Sequence, residues 1–209
     1  NKLKKKIHVQ MMMFEPTVEY SGKTPNISEK VLNKLNIAYG KQPTPEEILF
    51  YIYAVFYSNK FREKYAEFLK IDFPRVPFTN DYKLFIETAT LGEELTNLHL
   101  MKSKLLEKPV AVYRGKGSNK IEFVKYAEKE KKIYINDENF FESVTPELWN
   151  YYIGGYQVLQ KFLKDRKGRI LDEPKYYCKV ITSISKTIEI QNAIDKLYNK
   201  IEKSLIKNK

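Results

Sequence analysis

The chain holds a single cysteine, Cys178, in 209 residues. It has no partner for an internal disulfide, and nothing points to an oxidising compartment. Its two histidines, His8 and His99, are far apart and have no cysteine or acidic neighbours at ligand spacing, so no metal site is expected. No stretch approaches the roughly 18 consecutive apolar residues of a spanning helix, so no membrane partner is expected and the chain reads as cytoplasmic. The opening KLKKKIHVQMMMF looks superficially like a leader. Its apolar part is short and contains Gln10, and no small-residue cleavage site follows. The first residue is Asn1 and not a methionine, so the sequence reads as a piece of something longer.

Catalytic sets are missing as well. SGKT (Ser21–Thr24) resembles the end of a phosphate-binding loop, but Thr17 stands where that loop needs glycine. Cys178 lies in YYCKV with no charged histidine or helix start near it in sequence to lower its pKa, so a core or neutral surface position is expected. Glu130-Lys131-Lys132 matches the tail of a nuclease metal pattern without the upstream Pro-Asp, and a charged hairpin turn explains it better. No NPPY-like adenine-methylation motif occurs. No catalytic residue, metal ligand or cofactor is therefore assigned to this chain itself.

What is present is apolar mass and positive charge. Hydrophobic residues make up 43% and aromatics 14%, enough for a globular core. The formal net charge of +11 suggests a polyanionic partner, nucleic acid or an anionic membrane face, against the plainer reading of a lysine-rich surface.

Along the chain the pattern is helices, then a few strands, then helices, which argues α+β: mainly helical, with a small antiparallel β meander in the middle and a long C-terminal helix. Residues 1–43 hold an edge hairpin (1–22) and a short helix through Ile27, Val31 and Leu35. Residues 44–107 form a helical part. TPEE caps its first helix through Thr44 and Glu47. Ser58-Asn59 caps a second, with Phe61, Tyr65, Phe68 and Leu69 inward. A third runs from about Asp81 to Leu106 with Leu105 on its buried side. Residues 108–145 are the meander. Residues 146–209 begin with TPEL and one helix to Gly168 carrying Trp149, Tyr152, Tyr156, Leu159 and Leu163 on one face. A last helix spans about Glu173 to Lys207. The whole is expected to be a single unit.

The sharpest functional signal is IGGYQVLQKFLKDRKGR (153–169), with five basic residues and one acid. The glycine pair is expected to let the helix pack closely; backbone approach to a phosphate is the other reading. Favourable interaction of cations with a helix end explains two of the basic residues better than five. A second signal is YRGKGSNK (113–120), read as a mobile glycine loop bearing Arg114, Lys116, Asn119 and Lys120, with a solvated hairpin loop as the alternative.

Three ordered stretches carry a resemblance: EEILFYIYAVFYSNKFREKYAEFLKIDFPRVPF (46–78), LGEELTNLHL (91–100) and LWNYYIGGYQVLQKFLKDRKGR (148–169). They resemble the C-terminal specificity domain of type ISP restriction-modification enzymes, with related C-termini in some type IIG enzymes, over about residues 25 to 200. The resemblance implies a target-recognition region of a large polypeptide that also carries a nuclease, a translocating ATPase and an N6-adenine methyltransferase. S-adenosylmethionine, ATP and Mg2+ are thereby implied for the full-length enzyme and none for this region, which lacks those motifs. The implied partners are double-stranded DNA and the methyltransferase domain of the same polypeptide. On this reading Lys161, Lys164, Arg166, Lys167, Arg169 and Lys120 contact phosphates, and Arg114, Lys116 and Asn119 read bases. The rivals are a docking module without base reading and a nuclease site involving Glu130.

Overall fold

The computed structural model describes residues 25–207. The expected hairpin over 1–22, His8 and the SGKT stretch lie outside them.

The first helical layer follows its capping signals. Helix α1 (Glu29–Tyr39) buries Leu35 and stops at Gly40. Helix α2 (Pro45–Tyr57) starts in a capping box: the Thr44 hydroxyl accepts from the Glu47 amide and the Glu47 carboxylate accepts from the Thr44 amide. These bonds satisfy amide donors that a helix start leaves open. Ser58 caps α3 (Asn59–Lys64) by accepting from the Phe61 amide, while its own hydroxyl donates to Asp195 at 2.6 Å. The expected second helix ends early and resumes as a 3-10 turn at Phe68–Lys70. Helix α4 (Tyr82–His99) packs along α2. It ends about seven residues sooner than its apolar pattern suggests. Met101 adopts a φ of 57°, and Ser103 opens a separate 3-10 turn at Lys104–Glu107. This rotation leaves Leu105 40% exposed and buries Leu106 in its place.

The middle of the chain supplies a four-stranded antiparallel sheet of β1 (Val112–Arg114), β2 (Lys125–Ala127), β3 (Lys132–Tyr134) and β4 (Phe140–Glu142). The spatial order is β1-β4-β3-β2. Strands β2 to β4 form a meander, and β1 closes against β4, not β2, so Arg114 stands on an edge strand.

The expected single helix over 146–168 is three elements. Helix α5 (Pro146–Trp149), capped by Thr145, is followed by a hairpin of β5 (Tyr152–Ile153) and β6 (Tyr156–Gln157), and then by α6 (Val158–Lys164). Gly154 and Gly155 form the hairpin turn. An added Cβ at either would meet nothing within 4 Å, so close helix packing is not their role. Two residues of Gly-Gly suit a two-residue turn because its twist needs positive φ, which Gly154 adopts at 58°.

Helix α7 (Pro174–Ile201) is the spine. At about 1.5 Å per residue its 28 residues run about 42 Å. Its first half puts Tyr177, Cys178, Ile181 and Ile184 against the sheet. Ile190 and Ile194 meet α4, and Tyr198 and Ile201 close the core of α1, α2 and α4. Cys178 is core, as expected, and burial pushes its thiol up to about 11. His99 is half-buried between Tyr53 and Thr187, hydrogen-bonded to both side chains, and burial lowers its pKa.

Candidate nucleic-acid interface

The two basic segments picked out in the sequence are joined in space. Ile121 N donates to Arg169 O at 2.9 Å, Gly168 N to Ile121 O at 2.7 Å and Leu171 N to Asn119 O at 3.0 Å. Lys120 and Ile170 face each other across this short antiparallel bridge. Lys120 therefore sits beside the 166–169 cluster, although 46 residues separate it from Arg166.

Helix α6 presents the rest. Leu159 and Leu163 are fully buried, and Tyr177 fixes the helix by donating to Leu159 O at 2.9 Å. With 100° per residue, Lys161 projects almost opposite that buried pair and Lys164 flanks it; both are exposed. The Lys161 ammonium pairs with Asp165 at 2.5 Å. Arg166 is turned inward: its guanidinium lies 3.8 Å from the Phe162 ring centre and donates to Phe162 O. Arg169 donates to Asp165 O. Arg166 and Arg169 border a cleft of about 350 Å³ that also carries Asp172 and Tyr176. The Lys116, Lys120, Lys164 and Lys167 side chains are exposed and have no partner among the described residues.

The 115–120 loop is not the mobile glycine loop expected. Two buried asparagines hold its backbone. Asn136 donates to the carbonyls of Ser118 and Lys120, at 2.7 and 3.0 Å. Asn139 donates to Ser118 O at 2.8 Å and accepts from Gly117 N at 3.3 Å. Sequence reading missed this clamp, because nothing in NDEN marks which loop the asparagines hold. Asn119 is itself engaged: its side-chain oxygen accepts from Tyr113 OH at 2.8 Å. Arg114 donates through Nε to Glu142 at 2.7 Å. Glu130 sits in the β2–β3 turn, where bonds from Tyr134 and then Lys132 hold its carboxyl below the usual range. This is the arrangement expected of a charged hairpin turn.

Among the described residues no three His, Cys, Asp or Glu side chains come together in a group able to hold a metal ion. No described helix is long and apolar enough to cross a membrane.

A structure with a strongly basic edge built by a sheet loop and a short helix, braced by one long helix, is what a nucleic-acid specificity module requires. The chain belongs to the type ISP C-terminal specificity domain family, whose model matches residues 4–193. Among solved structures, the cryo-EM DrdV–DNA complex superposes with a TM-score of 0.63 at 19% identity, over 81% of this chain and 19% of that one. The ATP-dependent type ISP restriction-modification enzyme LlaBIII bound to DNA gives 0.59 at 19%, over 82% and 12%. A nuclease-deletion mutant of the type ISP enzyme LlaGI in complex with a DNA substrate mimic gives 0.54 at 18%, over 75% and 14%. The chain thus spans a fifth or less of the structures it matches, and at these identities the likeness is one of fold. Among curated proteins none matches.

Proposed function

We propose that this chain binds double-stranded DNA in a sequence-dependent way, as the target-recognition part of a restriction-modification polypeptide. The observation that carries the reading is the backbone bridge that sets Lys120 beside Lys167 and Arg169, with Lys164 one helical turn away. Four cations on one edge neutralise phosphates and set register; base edges supply discrimination.

Arg114 suits base reading through its partner. Glu142 takes the Nε donor and orients the plane, leaving the outer donors of the guanidinium for guanine O6 and N7. Lys116 is free to join it. Asn119 already accepts from Tyr113, which fixes its amide and leaves its second lone pair and its NH2 for an adenine edge. Arg166, held over Phe162, contributes charge more than direct contact. On this reading the duplex is presented to a methyltransferase domain of the same polypeptide, which flips out its target adenine. No group of three or more His, Cys, Asp or Glu side chains able to hold a metal ion occurs among the described residues, and we derive no step through Mg2+. ATP and S-adenosylmethionine belong, in this proposal, to other parts of a longer enzyme.

The test is charge reversal of three exposed side chains, Lys164→Glu, Lys167→Glu and Arg169→Glu together. Affinity for a duplex of about 30 bp is expected to fall about a hundredfold or more, with the fold intact by thermal melting. Unchanged affinity would move the DNA contact off this edge and remove the observation that carries the reading; no duplex binding by the wild-type chain would favour a protein-docking role instead.

A further inference from the structure

The β5–β6 hairpin is used neither by the core nor by the basic edge. Tyr152, Ile153 and Tyr156 are 56%, 48% and 63% exposed, although Trp149 before them and Leu159 after them are buried. Its base is firm. Gln157 Nε2 donates to Trp149 O at 2.6 Å, and Val158 N donates to Tyr151 O at 3.1 Å. Its tip is bare, with open space at both glycines. Gly154 needs glycine for its positive φ. Gly155 is not among the positive-φ glycines and has no crowding neighbour, so the folded chain makes no demand for glycine there.

One cation stands beside the hairpin. The Lys161 ammonium lies 5.6 Å from the Tyr156 ring centre. Helix α6, about 10 Å long, separates the hairpin from Lys167 and Arg169. That is about three base-pair steps at 3.4 Å each. Lys161 is itself paired with Asp165, and β6 runs directly into α6 with its exposed Lys164, so a polyanion bound along α6 also reaches the hairpin rings.

We propose that β5–β6 is a ribbon that enters the major groove of duplex DNA. The Gly154–Gly155 backbone approaches the base edges, and Tyr152 and Tyr156 line the flanks of the ribbon. The proposal rests on the duplex-binding reading above. The major groove is wide enough for a two-stranded ribbon, and absence of a side chain allows main-chain donors to reach the bases. Tyrosine supplies an apolar ring for sugars and thymine methyls and a hydroxyl for phosphate.

The experiment compares the wild-type chain, Gly155→Ala, Tyr156→Ala and the triple charge reversal on a duplex of about 30 bp, by affinity, salt slope and thermal midpoint. Gly155→Ala is expected to keep the midpoint and the salt slope but to bind about tenfold more weakly, because its methyl group intrudes only when DNA is present. Tyr156→Ala is expected to lose a similar factor with the slope unchanged. If Gly155→Ala lowers the midpoint, Tyr156→Ala alone decides. Wild-type affinity in both hairpin variants, with binding abolished by charge reversal, overturns the ribbon and spares the duplex reading. No wild-type binding at the lowest salt overturns both. Displacement of the chain by netropsin, which fills the minor groove, would overturn the choice of groove.

Discussion

Asp165 is the one acid in the basic run from Ile153 to Arg169, and it holds two of the cations. Its carboxylate takes Lys161 and its carbonyl takes Arg169. Both members of the ion pair are about half exposed, and such pairs contribute about 0–1 kcal/mol, so removing the carboxylate costs the fold little and frees Lys161. Asp165→Asn is therefore expected to raise duplex affinity severalfold and to steepen the salt slope by about 0.9, the signature of one more neutralised phosphate. Fluorescence anisotropy across salt reads both. A slope unchanged by the substitution would place Lys161 off the DNA. The i, i+4 spacing of Lys161 and Asp165 is legible in the sequence. The capture of Arg169 by a backbone carbonyl is not, because it depends on the turn that follows α6. The same holds for Arg114, whose partner Glu142 lies 28 residues on and reaches it only because β1 pairs with β4.

Elements show where local signals win and where they mislead. Thr44, Ser58 and Thr145 all cap the helices their sequences announce. Capping is legible because donor and acceptor lie within three residues. The stretch YIGGYQ was open to two periods. Trp149, Tyr152, Tyr156, Leu159 and Leu163 fit a helical face, but aromatic and β-branched residues around Gly-Gly also fit a two-residue hairpin. The hairpin prevails, and Tyr152 and Tyr156 turn from expected core to exposed surface. One contact between elements carries a sharp expectation. A Cβ at Gly92 on α4 would lie 1.9 Å from the Phe50 carbonyl oxygen of α2, which is backbone and cannot rotate away. Gly92→Ala is expected to destabilise the chain by about 1–3 kcal/mol or more, since the helices must separate. Urea denaturation checks this; a variant as stable as wild type would contradict the packing of α2 on α4.

At the scale of the molecule, α7 couples what the sequence presents as separate parts. Its sheet-facing and helix-facing halves make one rod under both cores. The fold class is legible from the succession of helical and strand-like periods. The order of strands and the bridge between residues 119–121 and 168–171 are not, because no local pattern encodes a pairing across about fifty residues. That bridge nevertheless makes the candidate interface a single surface. The measurement that tests this most directly is the affinity of the chain for duplex DNA from about 50 to 200 mM salt. If Lys120, Lys164, Lys167 and Arg169 act together while Asp165 holds Lys161, a plot of log affinity against log salt should fall with a slope of about −3.6. A slope near zero, or no binding at the lowest salt, would contradict the account and leave the positive charge without a DNA-binding role.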